Sequence, residues 1–515
     1  MHPQRLLHDS LLRACEGDGA AKAAVIVEGN AYTYGELLDA ASRLASALRE
    51  RGVRRGDRVA IYMDNPWPCV VSIFATLIAG GAFLIVNPQT KADKLAFILD
   101  DSGARVLLTD AHLAKEYHAA LEDMSDPPAV IASGSKDAAA ESFDAVLASA
   151  TPLGERVPAI PLDLAALIYT SGSTGNPKGV MQTHQAMVFA CASLVEYLRL
   201  GADDRILCAL PLAFDYGLYQ LLMSVSLGAT LVLERSFTFP AQVFARMRET
   251  RATVFPGVPT VFAMLLGAHG REALSFPEIT RVTNTAAALP DDFAVRLREV
   301  FPNALIYKMY GLTECKRVSY LEPELIDAKP GSVGKAIPGT EIYLLSPEGK
   351  EVPAGEVGIL HVRGPHVMLG YWNRPDLTDL MLKPGKLPGE RVLCTQDHFR
   401  MDDEGFLYFV GRTDDIIKTR GEKVSPVEVE NVLHAIPGVR EAAVVGVPDD
   451  VLGQAIRAYV VLNPGVLLGE REIRAGCAVR LENFMVPRDV VLCSDLPRTA
   501  TGKVSRKALL ENPPA

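Results

Sequence analysis

Apolar strand-like runs alternate with amphipathic helix-like runs through about residue 400 of this chain. Strand patterns fall at 57–63, 104–109, 164–170, 205–210, 229–233, 253–256 and 304–309, and helix patterns at 33–51, 184–198 and 240–250. Such an alternation buries its apolar runs by laying helices on the faces of a largely parallel sheet, so the expected fold class is α/β. The character changes near residue 415. A helix at 426–434, strands near 441–447 and 457–462, a helix near 470–481 and a strand near 488–493 make up a segment of about 100 residues of α+β, enough for a small domain. It begins at the charged junction GRTDDIIKTRGEK.

Composition narrows the classes. With 49% hydrophobic and 22% charged residues, the chain is neither disordered nor collagen-like. A net charge of −10 argues against a nucleic-acid partner, which needs a basic footprint. The eight cysteines form no CxxC pair, so neither a zinc site nor a disulfide framework is expected, and scattered thiols fit the reducing cytoplasm. The N-terminus lacks the apolar core of a signal peptide. Residues 69–86 carry no charge over 18 positions, the short limit of a membrane span. Gly80-Gly81 interrupts them and the second half is β-branched and aromatic, so a buried helix turning into a buried strand is expected instead.

The most informative segment is 169–184, YTSGSTGNPKGVMQTH. Its glycines let backbone N–H groups approach an anion, its hydroxyls add donors, and Lys178 adds charge, a combination suited to a triphosphate. It is not a P-loop, because Gly179 follows Lys178. On composition alone a flexible surface loop reads the same way. Five further segments follow in order: YGLTE at 310–314, RGPHVMLGYW at 363–372, DHFRMDDEGFLYFVGR from Asp397, RTDDIIKTRGEKVSPVEVE at 412–430, and PRTATGKVSRKAL with Lys503. With these the chain resembles, over essentially its whole length, the adenylate-forming superfamily: acyl-CoA synthetases, the adenylation domains of nonribosomal peptide synthesis, and luciferases.

The resemblance implies a large N-terminal AMP-binding domain of layered sheets and helices over 1–413 and a small mobile α+β domain over 414–515. It also implies a reaction. A carboxylate attacks the α-phosphate of ATP, pyrophosphate leaves, and a thiol then takes the acyl group from acyl-AMP. By the same match Thr170, Ser171, Gly172, Ser173, Thr174, Gly175 and Lys178 would hold phosphate. Thr313 would contact phosphate and Glu314 would hold Mg2+, for which one carboxylate plus phosphate oxygens is a usual arrangement. Tyr310 and Gly311 would lie at the adenine. Asp397 would accept hydrogen bonds from the ribose hydroxyls, with Arg412 in support, although Gln396 stands where the family usually has glycine. Lys503 would bridge the substrate carboxylate and the phosphate–ribose oxygens. Lys178, Thr313, Glu314 and Lys503 are the expected catalytic set. Asp414 matches the family's hinge, Gly421 its pantetheine tunnel, and Lys423 a position facing the thiol donor.

The acid and the thiol are less constrained. Phe214-Asp215 in PLAFDYGLYQ resembles the FD of amino-acid adenylation domains, where the aspartate pairs with the substrate α-ammonium. A helix cap at Asp215 is the alternative. Tyr216, Tyr219, Thr285, Met309, Arg317 and Val318 would complete the pocket, a bulky lining that argues for a small acid. The expectation is a stand-alone ligase loading a small amino acid, such as proline, onto carrier-protein phosphopantetheine supplied in trans. The alternative is an AMP-forming acyl- or aryl-CoA ligase acting on an acid without an amino group. A nucleotide-binding scaffold without chemistry is opposed by the intact Lys178, Glu314, Asp397, Arg412 and Lys503.

Overall fold

The structure, a computed structural model, describes residues 4–512 except 65, 135–139, 156, 171–176, 270–272, 286, 288, 413–414, 420–421, 450–451, 482 and 500–502, and the side chains of 291, 418, 422, 423 and 453. The first helix of any length, Tyr34–Glu50, shows how sequence sets an element. Thr33 and Glu36 form a reciprocal capping box at its start, and Leu37, Ala41, Leu44 and Leu48 line one buried face. Each such leucine contributes about 1.5–3 kcal/mol on leaving water.

Two sheets share the large domain. The larger has a parallel half, in which Ala23–Val27, Thr230–Leu233, Arg205–Cys208, Val254–Gly257, Arg281–Asn284 and Leu305–Tyr310 lie side by side. Past Tyr310 it continues antiparallel through Ser319–Leu321, Ser332–Ala336, Leu407–Arg412, Arg391–Met401, Val357–Arg363 and Glu341–Leu345. The alternation of strands and helices expected to about residue 400 therefore ends at Tyr310. The second sheet is parallel around Arg58–Tyr62, and Lys178–Thr183 returns antiparallel to Leu164–Thr170.

The uncharged stretch resolves as expected. Helix Pro66–Ile78 is buried nearly throughout, and strand Ala82–Ile85 follows it. Gly80 makes the turn at φ +83°, where a Cβ would sit 2.7 Å from Val157 Cγ1. Among the described residues no helix is long and apolar enough to cross a membrane. All eight cysteines are free.

The smaller domain is a sheet of Glu422–Val424, Ile417–Thr419, Gly453–Leu462, Val439–Asp449 and Asp489–Leu492, with helices Pro426–His434 and Glu470–Ala478 packed on its own core. Ser425 Oγ donates to the Val410 carbonyl of the large domain. Arg506 holds Asp415 at 3.2 Å and Glu430 at 2.7 Å.

Candidate active site

Strand Leu305–Tyr310 ends where the two halves of the larger sheet meet, and it delivers Tyr310–Glu314 to that seam. Gly311 is needed there: a Cβ would lie 2.3 Å from the Lys316 carbonyl oxygen. Glu314 is 7% exposed. Its carboxylate accepts the Tyr371 hydroxyl, and Lys178 Nζ stands 3.6 Å away. Lys178 also donates to Tyr371 Oη at 2.7 Å and lies 4.1 Å from the centroid of that ring. The Thr313 carbonyl accepts from Gln182 Nε2 at 2.9 Å, fixing YGLTE against strand Lys178–Thr183. Thr170 pairs with Lys178 across the strand ends, and its hydroxyl, buried, has no hydrogen-bond partner among the described residues. A buried hydroxyl without a partner beside a lysine fits an anionic ligand. Ser171, Gly172, Ser173, Thr174 and Gly175 lie outside the described residues.

On the other side of the seam Asp397 and Arg412 face each other in register, with Arg412 Nε 3.1 Å from the carboxylate. Asp397 also accepts the Tyr310 hydroxyl. Burial raises the Asp397 pKa, while Arg412 and Tyr310 oppose it. Tyr310 packs edge-on to Phe399 at 4.7 Å. Gln396 adopts φ +62°, the left-handed region that glycine favours, and Asp397 beside it remains paired with Arg412. Mg2+ would be held by Glu314 together with phosphate oxygens, where it would offset charge on the leaving pyrophosphate.

Lys503 comes from the small domain, beside the Arg498–Val504 bridge, its carbonyl accepting Thr499 N–H at 2.7 Å. Lys503 is exposed, and desolvation by the residues near its ammonium lowers its pKa. Asp215 opposes that shift, Arg412 adds to it, and Asp397 and Glu314 oppose it. Asp414 and Gly421 lie outside the described residues, as does the Lys423 side chain on strand Glu422–Val424.

The acid side differs from expectation. Asp215 is the first residue of helix Asp215–Leu227, whose N-cap is Phe214, and no side chain caps it, which corrects the cap reading. The Asp215 carboxylate is 3.6 Å from Lys316 Nζ instead, and Lys316 also donates to the Asp215 carbonyl at 3.0 Å. Lys316 adopts φ +62° and lies 4.5 Å from the Tyr219 ring centroid. Burial pushes the Lys316 ammonium down to about 8, with Asp215 opposing and Arg317 adding to the fall. Arg317 donates to Thr285 Oγ1, and Tyr216 Oη meets Thr283 Oγ1 at 2.7 Å. Met309 Sδ accepts the Tyr197 hydroxyl at 3.0 Å. Val318 belongs elsewhere: it packs with Val180, Cys315 and Leu360 in a separate core. Sequence reasoning missed Tyr371, although it lies within RGPHVMLGYW, and missed Lys316 as the partner of Asp215.

Comparison with known proteins agrees with this arrangement. The AMP-binding enzyme profile matches residues 11–372, and the AMP-binding enzyme C-terminal domain profile matches residues 428–503. A feruloyl-CoA synthase of an Amycolatopsis species is 34% identical over 92% of this chain and 93% of its own. A benzoate CoA ligase from Burkholderia xenovorans LB400 superposes with a TM-score of 0.89 at 31% identity, over 98% of this chain and 99% of that one. The anthranilate CoA ligase AuaEII in complex with anthranoyl-AMP gives 0.91 at 27%, over 99% and 97%.

Proposed function

Because the chain belongs to the AMP-binding, adenylate-forming enzymes and is an ATP- and Mg2+-dependent acid–thiol ligase, we propose that it activates a small carboxylic acid lacking an α-ammonium and transfers the acyl group to CoA. The observation that carries this reading is the Lys316–Asp215 pair. The expectation of an amino-acid ligase rested on an Asp215 free to meet a substrate ammonium. Lys316 supplies an ammonium from within the chain, and a second one brought by the substrate would meet like charge. The relatives described above are CoA ligases, so CoA replaces carrier-protein phosphopantetheine as the proposed acceptor.

In this reading Lys178 and the Thr170 hydroxyl hold phosphate, Asp397 and Arg412 hold the ribose, and Lys503 lies between the entering carboxylate and the α-phosphate. Cations fixed in advance where two anions meet lower the barrier without reorganisation during the step. The small domain, with its boundary near Asp414, then turns so that Lys503 leaves and the thiol enters.

ATP–pyrophosphate exchange with the proteinogenic amino acids and their des-amino counterparts tests the reading, followed by mass spectrometry of products formed with CoA. Exchange with des-amino acids and an acyl-CoA product is expected. Exchange confined to amino acids, with no CoA thioester, would return the assignment to a carrier-protein ligase.

A further inference from the structure

Arg317 carries a charge that nothing around it balances. It is 1% exposed. Its Nη1 donates to Thr285 Oγ1. Its Cζ lies 5.7 Å from the Tyr216 ring centroid, and its buried Nε has no partner among the described residues. Among the described residues no carboxylate lies within ion-pair distance of it, and the one carboxylate of the acid side, Asp215, is held by Lys316. A guanidinium keeps its proton under all ordinary conditions, and a buried charge is normally paired. Of these two adjacent cations, Lys316 is paired with a carboxylate and Arg317 is not. The chemistry of the free site is also specific. With Nη1 engaged by Thr285, the Nε edge of the planar fork remains, and that edge matches the two oxygens of a carboxylate.

From this unbalanced guanidinium we infer that the substrate is a short dicarboxylic acid: one carboxylate is adenylated beside Lys503, and the other pairs with Arg317 against Thr285. The inference rests on the acid–CoA ligase reading above and specifies its acid. Tyr216 and Tyr219 are buried beside Arg317 and Lys316, a bulky lining that suits a short acid. A plain monocarboxylate would leave the guanidinium as unbalanced as it is without substrate.

The test is pyrophosphate exchange with malonate, succinate and glutarate against propionate, butyrate, valerate, benzoate, ferulate and the proteinogenic amino acids. A dicarboxylate should exceed the monocarboxylate of equal length in kcat/KM on the order of 100-fold or more, as sites built around a buried polar group reject analogues lacking its partner. Arg317→Met should abolish that preference while Arg317→Lys keeps part of it. If R317M does not fold, the wild-type ratio and R317K decide. Exchange with monocarboxylates alone, or an R317M enzyme that retains the preference, overturns the dicarboxylate inference and leaves the ligase reading standing. Exchange with amino acids only, or with no acid at all, overturns the ligase reading and the inference with it.

Discussion

Removing Lys316 tests whether its ammonium stands in for one that a substrate would otherwise bring. The pair is asymmetric: the Lys316 side chain is 4% exposed and that of Asp215 is 25% exposed, with Nζ 3.6 Å from the carboxylate and 3.0 Å from the Asp215 carbonyl. Breaking a fully buried pair by deleting one member costs about 3–5 kcal/mol, whereas exposed pairs couple by about 0.2–1 kcal/mol. Water reaches Asp215, so the coupling belongs between these limits, at about 1–2 kcal/mol. A double-mutant cycle with Lys316→Met, Asp215→Asn and both together measures it by denaturant unfolding. The double variant should be more stable than the sum of the singles predicts by that amount. The cycle has a functional arm. In Lys316→Met the Asp215 carboxylate is free, so exchange with an amino acid relative to its des-amino analogue should rise about 10-fold, and Asp215→Asn in that background should cancel the rise. Stabilities additive to within about 0.5 kcal/mol, with an unchanged substrate ratio, would refute the reasoning.

Lys316 also gives a pH signature. Its pKa of about 8 lies below the ordinary 10.5, so the unfolded chain binds more protons between those values. Wild-type stability should therefore rise relative to Lys316→Met as pH increases from 8 toward 10.5, and a melting-temperature difference flat across that window would contradict the burial argument. Tyr371→Phe removes the hydroxyl that links Lys178 to Glu314. The KM for ATP should rise about 10-fold, reflecting loss of a hydrogen bond to a charged group; a lower melting temperature with KM unchanged would make Tyr371 purely structural. Lys503→Ala should lower pyrophosphate exchange by about 100-fold or more while sparing thioester formation from supplied acyl-AMP, and equal loss in both assays would refute the change of orientation between the half-reactions.

Much of this arrangement was legible in the residues because the determinants are local. The helix from Thr33, the uncharged helix before Gly80, and the strand ending near Tyr310 each announce themselves within a few positions. The Asp397–Arg412 pair came from the family resemblance, and antiparallel register places the two side by side although 15 residues separate them. What stayed hidden depends on approach in space. Asp215 and Lys316 are 101 residues apart, and a helix start cannot show that an aspartate turns to a distant lysine instead of capping. Tyr371 reaches Lys178 across 193 residues because its short strand pairs beside Lys178–Thr183. Val318 follows Arg317 directly, yet faces the opposite core, since adjacent residues entering a strand point to opposite sides. The antiparallel strands after Tyr310 were masked by periods too short to distinguish from loops between helices.

In the proposed reaction a carboxylate attacks the α-phosphate at the seam between Lys178, Asp397 and Lys503. The most direct test supplies the acid that exchange singles out with both carboxylate oxygens labelled with oxygen-18, together with ATP, Mg2+ and CoA, and weighs the nucleotide product. The account predicts AMP carrying one labelled oxygen, because the oxygen that bonds to phosphorus stays there when the thiol takes the acyl group. Unlabelled AMP, or label in inorganic phosphate alongside ADP, would contradict it.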